Sequence, residues 1–214
     1  ATFCLYLYDS VQNIKGVSKK FKYFDRVLSF DRKDTLKYPG MKFRPLFYID
    51  DFKREVKADN KYKYKYDISF CGTIHSDRYA IIRKVIEYCK RNKMNYYTFC
   101  YLQSKFIYWF YKFTKSEFKT AKESDFSFTK MSSKEISKIV QESRVILDIQ
   151  HPKQTGLTMR TIEMVGMNKK LITTNEEIKE YDFYNPNNIL VIDRKNVEIP
   201  HKFFVNEYVP IEEN

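Results

Sequence analysis

The 214-residue chain has five glycines and six prolines, too few for a Gly/Ser-rich or Pro-rich linker to organise it. Histidine is scarcer at three residues, and Cys4, Cys71, Cys89 and Cys100 contain no CxxC pair. A structural zinc site draws four ligands from such pairs, so none is expected, and the usage suits a reducing compartment better than a disulfide scaffold. Cys71 falls in an apolar strand pattern and Cys89 on a helical one, where a small hydrophobe suffices. No apolar run approaches the roughly 18 residues that suggest a membrane-spanning helix.

What the chain does have is a core and a charge. It is 43% hydrophobic and 17% aromatic, enough apolar surface for one domain or two small ones and not the composition of a disordered chain. The formal charge is +12. Lys and Arg dominate residues 11 to 65, whereas Asp and Glu outnumber them from 176 onward. Such an excess favours an anionic partner, whether nucleic acid, membrane surface or phosphorylated substrate, and equally fits a solvated lysine-rich surface. The sequence opens at Ala1 with "ATFCLYLY", an apolar strand already under way, which reads as a piece of a longer chain.

Strands and helices alternate. "TFCLYLYD" and "FDRVLSFD" read as strands, and "KFRPLFYI" as an extended segment that Pro45 keeps from a central position. The charged stretch around 50 to 65 is taken as a boundary between an end of one domain, residues 1–60, and a second, residues 61–214. In the second, "DISFCGTI" is a strand, and Ile81, Ile82, Val85, Ile86 and Cys89 recur at helical spacing. "MNYYTFCYL" is a strand, "SSKEISKIVQES" a helix capped by Ser132 or Ser133, and "RVILDI" a strand. "LTMRTIEMV" is a helix ended by Gly166, followed by strands "KKLITT" and "NILVIDR". Alternation with near-continuous apolar strands predicts an α/β fold, a parallel sheet covered by helices on both faces.

Ligands of an open parallel sheet bind beyond the carboxyl ends of its strands. Two loops qualify. "CGTIHSDR" sets Gly72 and Thr73 past one strand with His75 and Arg78 behind them; a glycine admits backbone close to a phosphate, and the next helix offers free N–H groups. It is neither GxGxxG nor a P-loop, and an ordinary strand-to-helix turn fits it equally. The other loop follows Asp148 and carries Gln150, His151, Lys153, Gln154, Thr155, Gly156, Leu157 and Thr158 into a helix bearing Arg160 and Glu163. Three residues apart, Arg160 and Glu163 share a helix side. They form either an exposed ion pair of small energetic weight, or a carboxylate for a ribose diol with a cation, Arg160 or Lys153, for phosphate.

The segments "DIQHPKQTGLTMRTIEMVGMNKKLITTN", "ISFCGTIHSDR" and "YDFYNPNNILVIDR" together resemble the C-terminal half of a GT-B glycosyltransferase, similar to bacterial enzymes of lipopolysaccharide and capsular polysaccharide biosynthesis. "FDRVLSFDRKD" and "FRPLFY" resemble the end of such a protein's first domain. The resemblance implies a Rossmann-like domain that binds a nucleotide-sugar donor, preceded by the remnant of an acceptor-side α/β domain. It implies Glu163 at the donor ribose, and Gly72, Thr73, Arg78, Lys153, Gly156, Leu157, Thr158 and Arg160 at the diphosphate. His75, Asp148, Gln150 and Gln154 would line the site. The paired glutamates seven residues apart of many retaining members are missing, since Gly156 stands seven before Glu163. No two aspartates lie two apart, in keeping with the metal-independent, cofactor-free chemistry of that fold. In that fold a catalytic base usually comes from the first domain.

The partners implied are a nucleotide-sugar and a saccharide or lipid-linked acceptor, with no nucleic acid, in the cytoplasm or, alternatively, peripheral at the inner face of an anionic membrane. Competing readings are a basic single-stranded nucleic-acid-binding module, from "KYKYKY" and "FIYWFYKF", and a nucleotide-binding domain without catalytic activity. Phe106, Trp109, Phe110 and Phe113 recur at helical spacing beside Lys105, Lys112, Lys115, Lys119 and Lys122. The pattern suits an ordinary core-facing helix or, alternatively, one lying on an anionic membrane.

Overall fold

A computed structural model describes residues 1–53 and 64–211 of the chain. The boundary read at 60/61 and most of the charged stretch between the two parts lie outside the described residues.

The first part is a small parallel sheet. Strands β1 (Cys4–Leu7), β2 (Arg26–Ser29) and β3 (Lys42–Phe43) lie side by side in that order, all parallel. Helix α1 (Arg32–Lys37) follows β2 and is capped by the Asp31 carboxylate, which accepts from the Lys33 amide at 3.0 Å. Leu7, Val11, Val17 and Met41 form its own small core. The extended segment read at 42–49 is shorter than expected. The ladder ends at Phe43, on an edge strand, where the nearby Pro45 is tolerated. A helical turn of 3-10 type over Val17–Tyr23, unseen in the apolar pattern, links β1 to β2.

The larger part is doubly wound. Strands β4 (Tyr66–Thr73), β5 (Tyr96–Tyr101), β6 (Ser143–Asp148), β7 (Lys170–Thr173) and β8 (Ile189–Val191) are arranged β5-β4-β6-β7-β8 and pair in parallel throughout. Helices α2 (Arg78–Arg91), α3 (Lys105–Thr114), α4 (Ser133–Gln141) and α5 (Met159–Gly166) connect the strands, and α6 (Lys202–Val205) packs near the end of the chain. This is a Rossmann-like α/β fold, as the alternation predicts.

Both sheet faces are covered, and β6 illustrates how. Val145 and Leu147 point into one core with Ile81, Ile82 and Val85 of α2, while Ile146 points into the opposite core with Val140 of α4 and Met164 of α5. Side chains alternate across a strand, so a strand buried on both faces reads as an unbroken apolar run. Burying a side chain such as Ile82, fully inaccessible, contributes roughly 1.5 to 3 kcal/mol. Helix starts are specified locally. Ser132 caps α4 in a reciprocal box with Glu135, and Thr158 caps α5 by accepting from the Thr161 amide at 3.1 Å.

The two parts meet over α5. Phe52, from a short turn at Asp50–Phe52, is buried in the α4/α5 core. Gly166 lies so close beneath this segment that a Cβ there would stand 2.8 Å from the Phe52 carbonyl oxygen. Of the two readings of the ring stripe on α3, the core-facing one is overturned. Phe106, Trp109, Phe110 and Phe113 of α3 do not face the core; they are exposed, and Tyr108 alone on that helix is buried. The core side of α3 is taken instead by Tyr108 with partly buried Ile107 and Tyr111, a stripe rotated by about half a turn.

Candidate functional site

Strand order fixes where a ligand crevice can open. The connection from β4 runs outward to β5, and the next strand laid down, β6, sits on the other side of β4. The chain therefore reverses direction between β4 and β6, and loops leaving these strands diverge at that point. These are the two loops singled out in the sequence, after Thr73 and after Asp148.

Their histidines meet. The rings of His75 and His151 have centroids 5.2 Å apart, and His75 Nδ1 lies 2.9 Å from Ser76 Oγ. Ser76 has φ 47°, a left-handed conformation uncommon for a residue with a Cβ. Its carbonyl accepts from Lys115 Nζ at 3.2 Å, at the end of α3. Arg194, beyond β8, donates from Nη1 to both carboxylate oxygens of Asp77 at 2.8 and 3.0 Å and from Nη2 to the Gln150 carbonyl at 2.6 Å. Burial first, then the charges of Arg78 and His151, push the His75 imidazole down to about 4. The mouth is thus a cationic place where His75 is neutral near pH 7.

The Arg78 guanidinium is held by backbone. One terminal nitrogen donates to the Thr73 carbonyl at 2.7 Å and the other to the Ile149 carbonyl. The guanidinium thereby pins the end of β4 to the end of β6. Its Nε is buried with no hydrogen-bond partner among the described residues. Its fixed charge adds to the field of the crevice, while its fork is occupied by backbone. Gly72 lies beside it, 3.6 Å from Arg78 Nη1 at the position a Cβ would take.

The second loop is held as firmly. Asp148, 4% exposed, accepts from Thr158 Oγ1 at 2.6 Å and Thr161 Oγ1 at 2.8 Å. Its carboxylate fixes the start of α5 rather than opening to solvent. Gln150 is buried and exchanges hydrogen bonds with Thr174, and the Gln154 amide donates to the Gly156 carbonyl at 3.2 Å. Leu157 is buried in the α4/α5 core. Lys153 is exposed, its amide donating to His151 Nδ1 at 3.2 Å. A Cβ on Gly156 would meet the Phe30 ring at 2.5 Å. Of the expected residues, then, His75, His151 and Arg78 are brought together at the crevice, and Lys153, Gln154 and Thr155 follow His151 on its rim.

Arg160 and Glu163 form an ion pair at 2.8 Å. It is not the exposed pair that spacing alone allows: the side chains are only 17% and 13% accessible, with Arg160 5.6 Å over the Phe52 ring. Arg160 Nη1 and Glu163 Oε2 face each other off the hydrogen-bond direction, and neither has another hydrogen-bond partner among the described residues. Burial raises the Glu163 carboxyl above the ordinary range; Arg160 opposes this and Asp148 reinforces it. An under-bonded carboxylate in such a place retains acceptor capacity for hydroxyl donors.

Three contributors carry no local sequence signal. Arg194 reaches Asp77 across 117 positions of sequence, Lys115 lies just past the end of α3, and Asp31, the cap of α1 in the first part, accepts from Thr155 Oγ1 on the rim. Among the described residues, no three His, Cys, Asp or Glu side chains converge as a metal-binding set. An apolar crevice between α2 and strands β4 and β5, lined by Ile68, Ile82, Val85 and Cys89, has room for about 10 Å³ and offers nothing to hold a charged ligand.

No family model matches the chain, and no curated protein does. Among solved structures, it is similar to a chain of the Glycosylation Associate Protein (Gap123) complex from Streptococcus agalactiae, with TM-score 0.45 and 14% identity. The likeness covers 88% of this chain and 40% of that one, so the chain spans well under two thirds of that relative's length. Similarity this distant assigns neither a family nor an activity.

Proposed function

We propose that the chain binds a nucleoside diphosphate sugar at the β4/β6 crevice, as the donor-binding part of a GT-B glycosyltransferase acting in surface polysaccharide or lipopolysaccharide assembly. One observation carries this reading: at the point where strand order reverses, His75 and His151 adjoin within a field set by Arg78, Arg194 and Lys115. Anionic ligands are favoured there by fixed positive charge and by backbone amides at the starts of α2 and α5.

In this reading the diphosphate lies over His75, His151 and Lys153, and Glu163 turns from Arg160 to the ribose hydroxyls. Arg160 then compensates phosphate charge. Transfer proceeds by attack of an acceptor hydroxyl oxygen on the anomeric carbon, the hydroxyl proton passing to the departing diphosphate or to water. The bond from that carbon to the diphosphate oxygen breaks with its electron pair, and the cations stabilise the departing diphosphate. The acceptor is a saccharide or a lipid-linked saccharide.

The test is a thermal-shift panel of nucleotide-sugars, followed by radiolabelled donors offered with lipid-linked and oligosaccharide acceptors. Stabilisation by one nucleotide series and label in the acceptor are expected. Absence of stabilisation by every nucleotide-sugar overturns the binding reading. Stabilisation without label under any acceptor favours a nucleotide-binding domain without catalytic activity.

A further inference from the structure

Helix α3 presents an apolar stripe to solvent. Phe106, Trp109, Phe110 and Phe113 recur at intervals of three and four and are 78%, 48%, 54% and 81% exposed. They are not loosely attached. Ser104 caps the helix by accepting from the Ile107 amide at 3.3 Å, and Tyr108 anchors it through a 3.1 Å bond to the Ala121 carbonyl. Trp109 stacks on Phe113 with centroids 6.1 Å apart. A preformed helix with four large rings outward leaves apolar area in water that a monomer seldom tolerates in one place.

The surroundings choose the occupant. Residues 103–122 carry Lys105, Lys112, Lys115, Lys119 and Lys122 against the single acid Glu117. Lys119 and Lys122 are exposed, and Lys105 is exposed in a surface pair with Glu123. A second copy would bring the same lysines face to face on a chain of formal charge +12, which opposes a symmetric contact. Single-stranded nucleic acid stacks its bases along a cationic groove, and this stripe runs along the outside of a helix. Aromatic rings at the centre with lysine stems at the rim match the depth profile of a bilayer interface, where rings sit among headgroups and ammonium groups reach lipid phosphates.

We infer that α3 seats the protein on an anionic lipid surface through Phe106, Trp109, Phe110 and Phe113. Lys115, in the turn after α3, bonds to Ser76 in the crevice loop, so a seated α3 holds the mouth next to the bilayer. The inference stands whether or not the crevice takes a nucleotide.

Trp109 is the chain's only tryptophan, so its emission reports this surface without labelling. The experiment titrates the whole chain with phosphatidylcholine vesicles with and without phosphatidylglycerol, and floats the same samples on a density step at low salt. Anionic vesicles are expected to shift Trp109 emission to the blue, to quench it when the lipid is brominated, and to carry the protein upward. Phe106→Ser with Phe110→Ser should lower partition by about tenfold or more. Lys119→Glu with Lys122→Glu should also lower it, whereas Tyr23→Ser, a 68% exposed ring elsewhere, should leave it unchanged. Unmoved emission with no flotation overturns the inference. So do equal partition into neutral vesicles, a concentration-dependent blue shift without lipid, which marks a second copy, and a shift with oligonucleotide matching that with lipid.

Discussion

Asp31 accepts a hydrogen bond from Thr155 Oγ1 at 2.7 Å, across 124 positions of sequence. The same carboxylate accepts from Ser10 Oγ at 2.5 Å and from the Lys33 amide at 3.0 Å. The rim of the crevice is therefore fastened to the end of β2, and the neighbouring Gly156 rests on Phe30. Lys33 and Glu177 add an ion pair at 2.7 Å between the same two parts.

This fastening has a sign with pH. Burial works to raise the Asp31 carboxyl, and bonds from Ser10 and Thr155 outweigh it, leaving it below its ordinary value of 3.8. A depressed carboxylate stabilises the fold fully above its unfolded pKa and loses that contribution as pH falls through the folded value. Asp31→Ala should cost roughly 1.5 to 3 kcal/mol at neutral pH, the scale of hydrogen bonds to a charged group. Urea unfolding of both proteins should show the gap narrowing below pH 3.8; a gap independent of pH would contradict the assigned role.

Gly156 and Gly166 test the contact between the two parts from a different side. Alanine at 156 would place a Cβ 2.5 Å from the Phe30 ring, and alanine at 166 would place one 2.8 Å from the Phe52 carbonyl. Each change should destabilise by roughly 1 to 3 kcal/mol through overpacking. Thermal melts at or above the wild-type midpoint would mean these segments do not pack as described.

His75 gives a second pH signature. Buried neutral in the fold at about 4 and ordinarily 6.5, it binds fewer protons folded than unfolded. Its stabilising contribution is full above pH 6.5 and is lost as pH falls towards 4. His75→Gln should flatten the stability profile over that window, and the His75 ring proton should titrate near 4 by NMR. A diphosphate in the crevice favours the imidazolium, so it should move that midpoint upward. A midpoint near 6.5 in the free protein would show an open, solvated ring.

Much of the larger sheet was legible because parallel strands buried on both faces leave unbroken apolar runs, and because caps such as Ser132 and Thr158 act within three residues. Lys170 shows why such reading has limits. It sits in "KKLITT" as if marking a strand's solvated start, yet it is 4% exposed and donates to the Phe203 and Asn206 carbonyls at 2.7 and 2.8 Å. Those acceptors lie over 30 residues away. The aromatic stripe of α3 was read as a stripe, but which side met the core depended on Tyr108 and Ala121. Of the site, the loops were visible as strand ends. Arg194, Lys115 and Asp31 were not, because strand order brings them there and no local pattern encodes that order.

Calorimetric titration of the protein and of Glu163→Ala with UDP, GDP, ADP and CMP tests the central claim most directly. The account predicts that one nucleoside diphosphate binds the wild type. The substitution should weaken binding by roughly 1.5 to 3 kcal/mol, the loss expected when hydroxyl donors no longer meet a carboxylate. Equal affinity of wild type and variant for every nucleotide, or no heat from any of them, would contradict it.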